Sequence, residues 1–550
     1  MKKQNRRSFL QFLGRAGVGL SASGFLVNLQ ACTSTEQPTQ QTVAPSKPRS
    51  FPLEDIQHSL EDKLVLANGL EYDILIKWND PISDLDQFGF NNDYLAFVPF
   101  DPNNPNDGML WVNHEYLQEL FVSGYNDRDK SKKTKEQVEK EMYSVGGSLL
   151  RIKKNKENKW QVVPNDEHNR RLTAKTEIPF DWDEPILGST TAIGTFANCA
   201  GGITPWGTIL TCEENYDMFY GETDYSDPKN PKRITGRDYG WSQYYDYPPE
   251  HYGWVVEVNP LTGAAKKLVA LGRCAHECAT VHQAKDGRLV VYSGDDSNDE
   301  CLYKFISKEP NNLREGKLYV ANTSKGEWIS LDYNDQEVLR QNFANQTEIL
   351  IRLREAAKLV GGTPLNRPED IEIDPLTGNV LVALTNNKPK GDFLGEILKI
   401  EEADNENKTS MKFVASTFLA GGESTGFACP DNMAFDPKGN LWFTSDISGS
   451  SINTEPYLPF GNNGLFMVPS WGKDKGKVLQ VASAPIDAEL TGPVFSPDGE
   501  TLFLSIQHPG ERSKDLDNLT SHWPEGGTAQ PKPSVVCIQG QALKDLMQGE

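Results

Sequence analysis

The feature that most constrains the fold is a turn motif that recurs between short β-forming segments. D-x-x-G or a relative separates β-branched or aromatic runs in segments that begin at Asn259, Ala284, Asp374, Asp436 and Ser496. This pattern predicts tight hairpins. The last three segments start about 60 residues apart, as four-stranded blades with their loops would require. The sequence therefore predicts an all-β fold, a single β-propeller of about six blades.

Two segments interrupt this period and predict small helical insertions in loops. Asp127–Met142 is highly charged, and we expect it to be helical or mobile. Gln336–Leu359 has apolar residues at helical spacing and predicts the best helix of the chain.

The N-terminus predicts export. Arg6 and Arg7 are followed by Phe9 and Leu10 and then by a weakly apolar stretch, a pattern typical of a twin-arginine signal. The alternative is an ordinary secretory signal that contains the arginine pair by chance, but Phe9 and Leu10 favour the twin-arginine signal. We therefore expect the chain to pass the twin-arginine export machinery in a folded state and to reach the periplasm or cell surface.

The apolar stretch ends in Leu-Gln-Ala-Cys32, which is similar to the site at which a cysteine is lipidated. A polar, proline-containing segment follows, as expected of a flexible tether. The alternative is cleavage nearby, with Cys32 removed or left without a role. No other segment approaches the roughly 18 apolar residues needed to span a bilayer. The predicted organisation is a signal peptide at 1–32, a linker at 33–50 and a catalytic propeller at 51–545.

The charge balance disfavours two classes of partner, nucleic acid and anionic membranes. The chain has 77 acidic and 55 basic residues, a formal net charge of -22, and such a surface repels nucleic acid and anionic membranes. A solvated acidic surface is the ordinary explanation, and local carboxylate clusters that bind cations are the alternative. Eight cysteines are present. If Cys32 is lipidated, seven remain in an oxidising compartment, so one unpaired thiol must be explained by metal ligation or burial.

Two segments place acidic residues beside cysteine at the ends of predicted strands. NCAGGITPWGTILTCEENY contains Cys199 and the adjacent Glu213 and Glu214, of which only one should face a common site because neighbouring strand residues point to opposite faces. GRCAHECATVH contains Glu277, and its C-x-x-x-C spacing is a poor signal for zinc. Solvated surface remains the ordinary explanation for each carboxylate taken alone.

Three further segments carry acidic residues or arginine. YSGDDSNDE contains Asp295 and Asp296 in an acidic loop of a kind that supplies oxygen ligands to calcium. NRPEDIEIDP contains Arg367 and Glu369, two residues apart on one face of a strand, and a guanidinium fork suits phosphate. A surface ion pair is the alternative there. CPDNMAFDPKG contains Asp431 before a blade, and His508 in the last segment is either a ligand or a residue that caps a strand turn.

In a propeller, loops from every blade converge on the central channel, so these distant segments can form one site. A thiolate with carboxylates suits iron, and carboxylate oxygens suit calcium. The sequence thus predicts a mixed metal site at the channel.

The same segments resemble the PhoX-type alkaline phosphatases, a family of twin-arginine-exported propellers. NCAGGITPWGTILTCEEN, LGRCAHECA, GRLVVYSGDD, NRPEDIEIDP and TGPVFSPDGETLFLSIQHPGE occur in the family's order, from about Trp111 to Glu511. The resemblance implies hydrolysis of phosphate monoesters by a pair of ferric ions with a bridging oxo group, together with calcium ions.

The family pattern assigns roles to individual residues of this chain. It makes Cys199 the thiolate ligand of iron and Arg367, aided by Asn198, the group that binds the phosphate. The further metal carboxylates that it implies are Glu213 or Glu214, Glu277, Glu369 and Asp431.

The sequence departs from the family at Cys274 and Cys278 and in the shorter loop after Asn387, which puts substrate preference in doubt. Two alternatives to the phosphatase remain open at this point. One is a calcium-dependent propeller hydrolase of lactones or phosphotriesters, and the other is a non-catalytic metal-binding surface lipoprotein.

Overall fold

Six antiparallel sheets of four or five strands follow one another along the chain. The computed structural model describes residues 51–101, 103–236 and 239–549, and the signal and tether predicted for residues 1–50, with Cys32, lie outside this part. The innermost strand of each sheet contacts that of the next sheet, and the last contacts the first. The sheets are therefore the blades of a six-bladed propeller, which confirms the predicted fold and the predicted number of blades.

The strands are named in chain order, with each blade described from the channel outwards. Two strands precede the first blade: β1 (Val65–Leu66) and β2 (Glu71–Lys77). Blade one and its extra strand are β3 (Asn92–Asp101), β4 (Asn104–His114), β5 (Gly146–Lys154), β6 (Trp160–Val162) and β7 (Arg170–Leu172). A hairpin follows, β8 (Glu177–Pro179) and β9 (Thr191–Ile193). Blade two, interrupted by the hairpin β12–β13, comprises β10 (Asn198–Ile203), β11 (Ile209–Glu213), β12 (Glu222–Asp224), β13 (Lys232–Ile234), β14 (Val255–Val258) and β15 (Ala265–Lys267).

The second half of the chain continues the same pattern. Blade three, with β18 pairing to β22 outside it, comprises β16 (Thr280–Gln283), β17 (Leu289–Gly294), β18 (Asn298–Glu300), β19 (Leu302–Ser307), β20 (Gly316–Asn322), β21 (Glu327–Ser330) and β22 (Leu365–Asn366). Blade four is β23 (Pro368–Ile373), β24 (Val380–Leu384), β25 (Glu396–Glu402) and β26 (Phe413–Ala420). Blade five is β27 (Pro430–Phe435), β28 (Leu441–Ser445), β29 (Gly464–Val468) and β30 (Leu479–Ser483), and blade six is β31 (Glu489–Phe495), β32 (Leu502–Gln507) and β33 (Ser534–Gln539).

The ring closes because the N-terminal strands complete the C-terminal blades. β2 pairs with β33 from Glu71↔Gln539 to Lys77↔Ser534, so it forms the outermost strand of blade six. β1 pairs with β30 in blade five. Joining the two ends of the chain in the same sheets protects strand edges and fixes the positions of the six innermost strands.

The predicted hairpin turns form as the sequence requires. Between β23 and β24, the Asp374 carboxylate accepts the backbone N–H of Leu376 at 2.8 Å, and Gly378 has a left-handed φ of 73°. Between β27 and β28, Asp436 accepts the N–H of Lys438 at 2.9 Å in the same manner. Asp at the first position and Gly at the last are the residues that such turns favour.

α-Helices occupy loops between the strands and the segment after β33. They are α1 (Glu119–Val122), α2 (Lys135–Ser144), α3 (Asp217–Tyr220), α4 (Glu337–Asn342), α5 (Gln346–Ile351), α6 (Leu353–Val360) and α7 (Gln541–Gln548). Among the described residues, none of these helices is long and apolar enough to cross a membrane.

The prediction of one helix over Gln336–Leu359 was wrong in its continuity. The segment forms three short helices, α4, α5 and α6. The chain is extended at Phe343, and the Asn345 side chain accepts the N–H of Glu348 at 2.9 Å, which starts α5 afresh. An asparagine that caps a new helix overrides the apolar periodicity on both sides of it. In the charged segment predicted to be helical or mobile, α2 begins at a capping box formed by Thr134 and Gln137.

A buried ion pair joins blades three and four. The Glu402 carboxylate accepts hydrogen bonds from Lys304 Nζ at 2.8 and 2.7 Å, from Tyr292 OH at 2.7 Å and from Trp328 Nε1 at 3.0 Å. The Lys304 and Glu402 side chains are both 0 % exposed. Removing one partner of such a pair leaves an uncompensated charge inside the protein.

We expect Lys304→Met to lower the free energy of unfolding by about 3–5 kcal/mol, because the Glu402 charge stays buried without its partner. The double variant Lys304→Met/Glu402→Leu should regain most of this loss, and urea unfolding measures both. Lys412→Met removes an exposed pair with Glu327 and should cost less than about 1 kcal/mol. A Lys304→Met variant as stable as the parent would contradict the role given to this pair.

Candidate metal centre

The innermost strands of four blades begin with the same backbone irregularity. In β3, β10, β23 and β27 the pairing with the second strand shifts after the first paired residue, so that one extra residue bulges from the ladder. The residue before each strand is left-handed, with φ of 38°, 54°, 53° and 52° at Asn91, Ala197, Arg367 and Cys429. Bulges and strained residues of this kind re-aim side chains and cluster at functional sites.

The bulges distribute consecutive side chains between two cavities of the central channel. The second residue of each of these four strands lines one cavity of about 160 Å³: Asp93, Cys199, Glu369 and Asp431. The residues that follow three of them, Tyr94, Asp370 and Asn432, line a separate cavity of about 530 Å³. The smaller cavity is called the acidic cavity below.

The second strands of the blades add acidic residues at the same edge. Glu115, Glu214 and Asp446 directly follow β4, β11 and β28, and Asp296 follows β17 by two residues. Because the hairpin strands are antiparallel, the start of the first strand and the end of the second lie side by side. The remaining acidic residues of the cavity come from segments near β16, β31 and β32: Glu277, Glu489 and Glu511.

The acidic cavity is crowded with like charges. Ten carboxylates and the Cys199 thiol line it, with Arg367 as the one arginine among its described lining residues. Burial raises the pKa of Glu115 and of Asp431 to about 7. Burial and then neighbouring carboxylates, Glu369 and Asp431 foremost, raise the pKa of Glu277 well above its ordinary value. Protons or cations must therefore neutralise part of this charge.

Three overlapping sets of side chains in this cavity can each hold a cation. Within each set, the ligand atoms lie within 4.8 Å of one another. The sets are Asp93, Glu115 and Cys199; Cys199, Glu214 and Glu277; and Glu277, Glu369 and Asp431. Cys199 belongs to the first two sets and Glu277 to the last two, so neighbouring sets share a ligand.

Two buried carboxylate oxygens of these sets lack a hydrogen-bond donor in the described part of the chain. Glu214 Oε1 and Glu277 Oε2 are buried and have no partner among the described residues. The other Glu277 oxygen accepts the Cys199 thiol at 3.1 Å. A buried carboxylate oxygen without a donor is costly, and a cation would satisfy it. The donor set and its unpaired oxygens therefore fit bound metal ions.

Arg367 is held by acidic residues on several sides. Its Nε and Nη2 donate to the two oxygens of Asp296 at 2.8 and 2.7 Å, and Nη2 lies 2.7 Å from Glu369 Oε1. Nη1 makes only a long contact with Asp446 Oδ2, at 3.5 Å. Burial acts to lower the pKa of Arg367, but the carboxylates of Asp296, Glu369 and Asp446 together outweigh it and raise the pKa well above its ordinary value, so the group stays charged. Nη1 is therefore the guanidinium nitrogen with the weakest contact to the protein.

The structure brings six of the sequence-predicted residues together in the acidic cavity. They are Cys199, Glu214, Glu277, Arg367, Glu369 and Asp431. His508, for which the sequence left a ligand and a turn residue as alternatives, also lines the cavity, and its Nε2 lies 3.3 Å from Glu489 Oε2. Three others do not line it: Asn198, Glu213 and Asp295.

Each of the three excluded residues has partners elsewhere. Glu213 is the last residue of β11 and faces away from Glu214, where it accepts Lys267 Nζ at 2.6 Å and the N–H of Gly253 at 3.0 Å. The Asp295 carboxylate accepts a hydrogen bond from Arg354 Nε at 2.9 Å. Asn198 Nδ2 donates to Thr195 and Thr211 hydroxyls.

Sequence reasoning missed several residues of the cavity. They are Asp93, Glu115, Asp446 and Glu489. Asp296, which also lines the cavity, lies in the acidic loop that the sequence singled out. A usable signal existed in the first residues of four innermost strands, which read NDYLAF, NCAGGI, PEDIEI and PDNMAF. In each of them an acidic residue or cysteine is second, after asparagine or proline. Aligning the first residues of these four strands would have added Asp93 to the predicted metal ligands Cys199, Glu369 and Asp431.

Comparisons with known proteins agree with this geometry. The family model described as alkaline phosphatase PhoX matches residues 51–510. The structure of Pseudomonas fluorescens PhoX in complex with vanadate, a transition state analogue, is similar with a TM-score of 0.79 and 28% identity, over 90% of this chain and 98% of that one. A comparison with curated protein sequences gives no match.

Other solved structures are much less similar. A Dyadobacter fermentans protein of unknown function has a TM-score of 0.40 and 10% identity, over 86% of this chain and 100% of that one. A Xanthomonas campestris gluconolactonase has a TM-score of 0.29 and 10% identity, over 83% and 99%. Likenesses this weak give no support to the lactonase alternative.

The family match covers most of the chain, and the similar structure extends over nearly all of its own length. The chain therefore belongs to the alkaline phosphatase PhoX family and is a phosphomonoesterase built on a six-bladed β-propeller.

Proposed function

We propose that the acidic cavity holds iron and calcium ions and that phosphate monoesters are hydrolysed there. The observation that carries this proposal is the row of three ligand sets, joined by Cys199 and Glu277 as shared members. A row with shared ligands suits several cations held close together, and the hydrolysis of phosphate esters commonly uses such neighbouring ions.

The ligand chemistry distinguishes the two metals. Cys199 supplies a thiolate to the first two sets, and a thiolate combined with carboxylates suits iron. The third set, Glu277, Glu369 and Asp431, offers oxygen atoms only, which suits calcium. We therefore assign iron to the positions that include Cys199 and calcium to the all-oxygen position.

Charge explains why the ions are needed before the substrate can bind. A phosphate ester is an anion, and ten carboxylates and a thiol line the cavity. Among the described lining residues, Arg367 is the one arginine that offsets their charge. Without bound cations this field repels the substrate. When bound, the ions supply Lewis-acid stabilisation of the charge on the phosphoryl oxygens.

Arg367 is the protein group best placed to bind the phosphoryl group itself. Asp296 fixes the guanidinium plane through Nε and Nη2, so the direction of Nη1 is set before a substrate arrives. A fixed guanidinium donates to an equatorial phosphoryl oxygen and gains strength as charge develops there in the transition state. Asp296 and Asp446 are therefore proposed as residues that position Arg367.

Two amides hold the carboxylate at one end of the row. Gln507 Nε2 donates to Glu115 Oε2 at 2.7 Å, and Asn215 Nδ2 donates to Glu115 Oε1 at 3.3 Å. Hydrogen bonds of this kind orient a carboxylate toward a bound metal. We expect Gln507 and Asn215 to support metal binding without contacting the substrate.

We further propose that the chain is exported by the twin-arginine machinery and anchored through a lipid on Cys32. The arginine pair at Arg6 and Arg7 and the sequence before Cys32 support this proposal. A site assembled from all six blades can be loaded with metal only after folding, which fits export of a folded protein.

Cys199→Ala should abolish iron binding and the visible absorption that accompanies it, and should reduce kcat/KM for p-nitrophenyl phosphate by at least about 100-fold. The thiolate is the ligand that makes the site suitable for iron. Metal analysis of the purified protein measures the first effect. Cys301→Ala, which changes a buried cysteine outside the cavity, should retain both iron and activity. Full activity in Cys199→Ala would refute the assigned ligand.

Arg367→Lys should lower kcat by about 100-fold, because a lysine cannot reproduce the fixed fork that stabilises the transition state. Iron and calcium contents should remain at the parental level, and vanadate should bind more weakly. Steady-state kinetics and metal analysis test the two parts together. Unchanged kcat with intact metals would remove Arg367 from the proposed site.

Replacing Arg6 and Arg7 by lysine together should retain the protein in the cytoplasm, because the export machinery reads the arginine pair. Fractionation of cells and blotting of the fractions measure the distribution. Cys32→Ser in the otherwise unchanged chain should still be exported but should leave the membrane fraction. Normal export of the double lysine variant would exclude the twin-arginine route.

A further inference from the structure

The part of the acidic cavity that solvent reaches is called the mouth here. Among the residues that line the cavity, the side chains of Arg367 and Asp446 are each 24% exposed and that of Glu511 is 33% exposed. Ser448 is exposed and Tyr116 is half-buried. By contrast, the three carboxylates of the all-oxygen ligand set are at most 5% exposed. A ligand that enters from solvent therefore meets the side chains of the mouth on its way in.

The size of the acidic cavity leaves the organic part of an ester at the mouth. A volume of about 160 Å³ corresponds to about five water molecules at roughly 30 Å³ each. It lies below the roughly 300–1,000 Å³ of sites that enclose a small organic molecule. The cavity can take the phosphoryl group, and Nη1 of Arg367, which is proposed to bind that group, lies beside Asp446 at the mouth. The organic part of a bound ester therefore extends from the phosphoryl group into the mouth.

Glu511 places a carboxylate at the mouth without a strong cationic partner. Its Oε1 accepts a hydrogen bond from Tyr116 OH at 3.3 Å. In the part of the chain that the structure describes, no lysine or arginine forms an ion pair with it, and His508 Nδ1, 3.8 Å from Oε2, donates instead to the Asp487 carbonyl at 2.9 Å. The Glu511 N–H donates to the His508 carbonyl at 3.1 Å, which fixes the backbone. A carboxylate held in this way can bind a cationic group of a ligand.

The other side chains of the mouth also favour a cationic group. Arg367 is the one arginine among the described lining residues, and no lysine is among them. Arg512, next to Glu511, is already paired with a buried aspartate. A second anionic group on the substrate would therefore meet the carboxylates of Asp446 and Glu511 without a free cationic partner. An ammonium group is attracted by these carboxylates and by the ring of Tyr116, because aromatic rings attract cations.

We propose that Glu511 determines substrate preference, so that the enzyme favours phosphate monoesters whose organic part carries an ammonium group, such as phosphocholine. Tyr116 adds an aromatic surface for the same group. The inference rests on the proposed binding of the phosphoryl group in the acidic cavity. We expect the preference in KM and not in kcat, because the ammonium group lies away from the bond that breaks.

The test compares phosphocholine with 3,3-dimethylbutyl phosphate, the uncharged ester in which carbon replaces nitrogen, using the full metal-loaded chain. The parental KM for phosphocholine should be about 10-fold lower, as attraction between an ammonium group and one carboxylate predicts. Because the two esters share their shape, any effect of a variant on the metal ions or on the phosphoryl group cancels in the ratio of their kcat/KM values.

Glu511→Gln, which keeps the shape of the side chain and removes its charge, should bring this ratio close to unity. Tyr116→Leu should lower the ratio by about threefold, because it removes the aromatic ring. Asp517→Asn removes an exposed carboxylate of the same loop that does not line the cavity, and it should leave the ratio unchanged.

Equal KM values for the two esters in the parental chain, or a parental preference that survives in Glu511→Gln, would overturn the proposal. A Glu511→Gln variant that hydrolyses neither ester would also overturn it, since Glu511 would then be required for the reaction itself. Hydrolysis of neither ester by the parental chain would instead refute the proposed phosphoryl site.

Discussion

Mutual repulsion among ten carboxylates and one thiol in the acidic cavity is the interaction on which the rest of the site depends. Arg367 offsets a small part of this charge, and the raised pKa values of Glu115, Glu277 and Asp431 show that burial and proximity oppose full ionisation. Such an arrangement is stable and useful only when cations compensate it. The same cations convert a cavity that repels phosphate into one that attracts it.

The propeller supplies the rigidity that holds these groups together. Each of the six blades contributes acidic residues or cysteine at one edge of the ring, and four innermost strands do so through the same bulge after a left-handed residue. The strain at Ala197, Arg367 and Cys429 is maintained because the surrounding sheets are closed by β2 and β33. A repeated backbone device therefore assembles one metal centre from segments separated by about 400 residues.

Much of the fold could be predicted from the sequence, because turn motifs such as those at Asp374 and Asp436 report local geometry directly. Six of the site residues also followed from the motifs and the family resemblance. The directions of the side chains could not be predicted in this way. Asp295 and Asp296 are adjacent, and only the positions of Arg354 and Arg367 decide which of the two lines the cavity. Asp93 and Glu115 were missed because their short motifs gain meaning only when the ring brings them beside Cys199.

The most direct test of this account is a calorimetric titration of vanadate into the full chain before and after complete removal of metals, with circular dichroism to verify the fold. The account predicts binding by the metal-loaded protein, none detectable in the metal-free protein, and recovery after iron and calcium are restored. Vanadate binding of similar affinity by the folded, metal-free protein would contradict the claim that cations create the phosphate site.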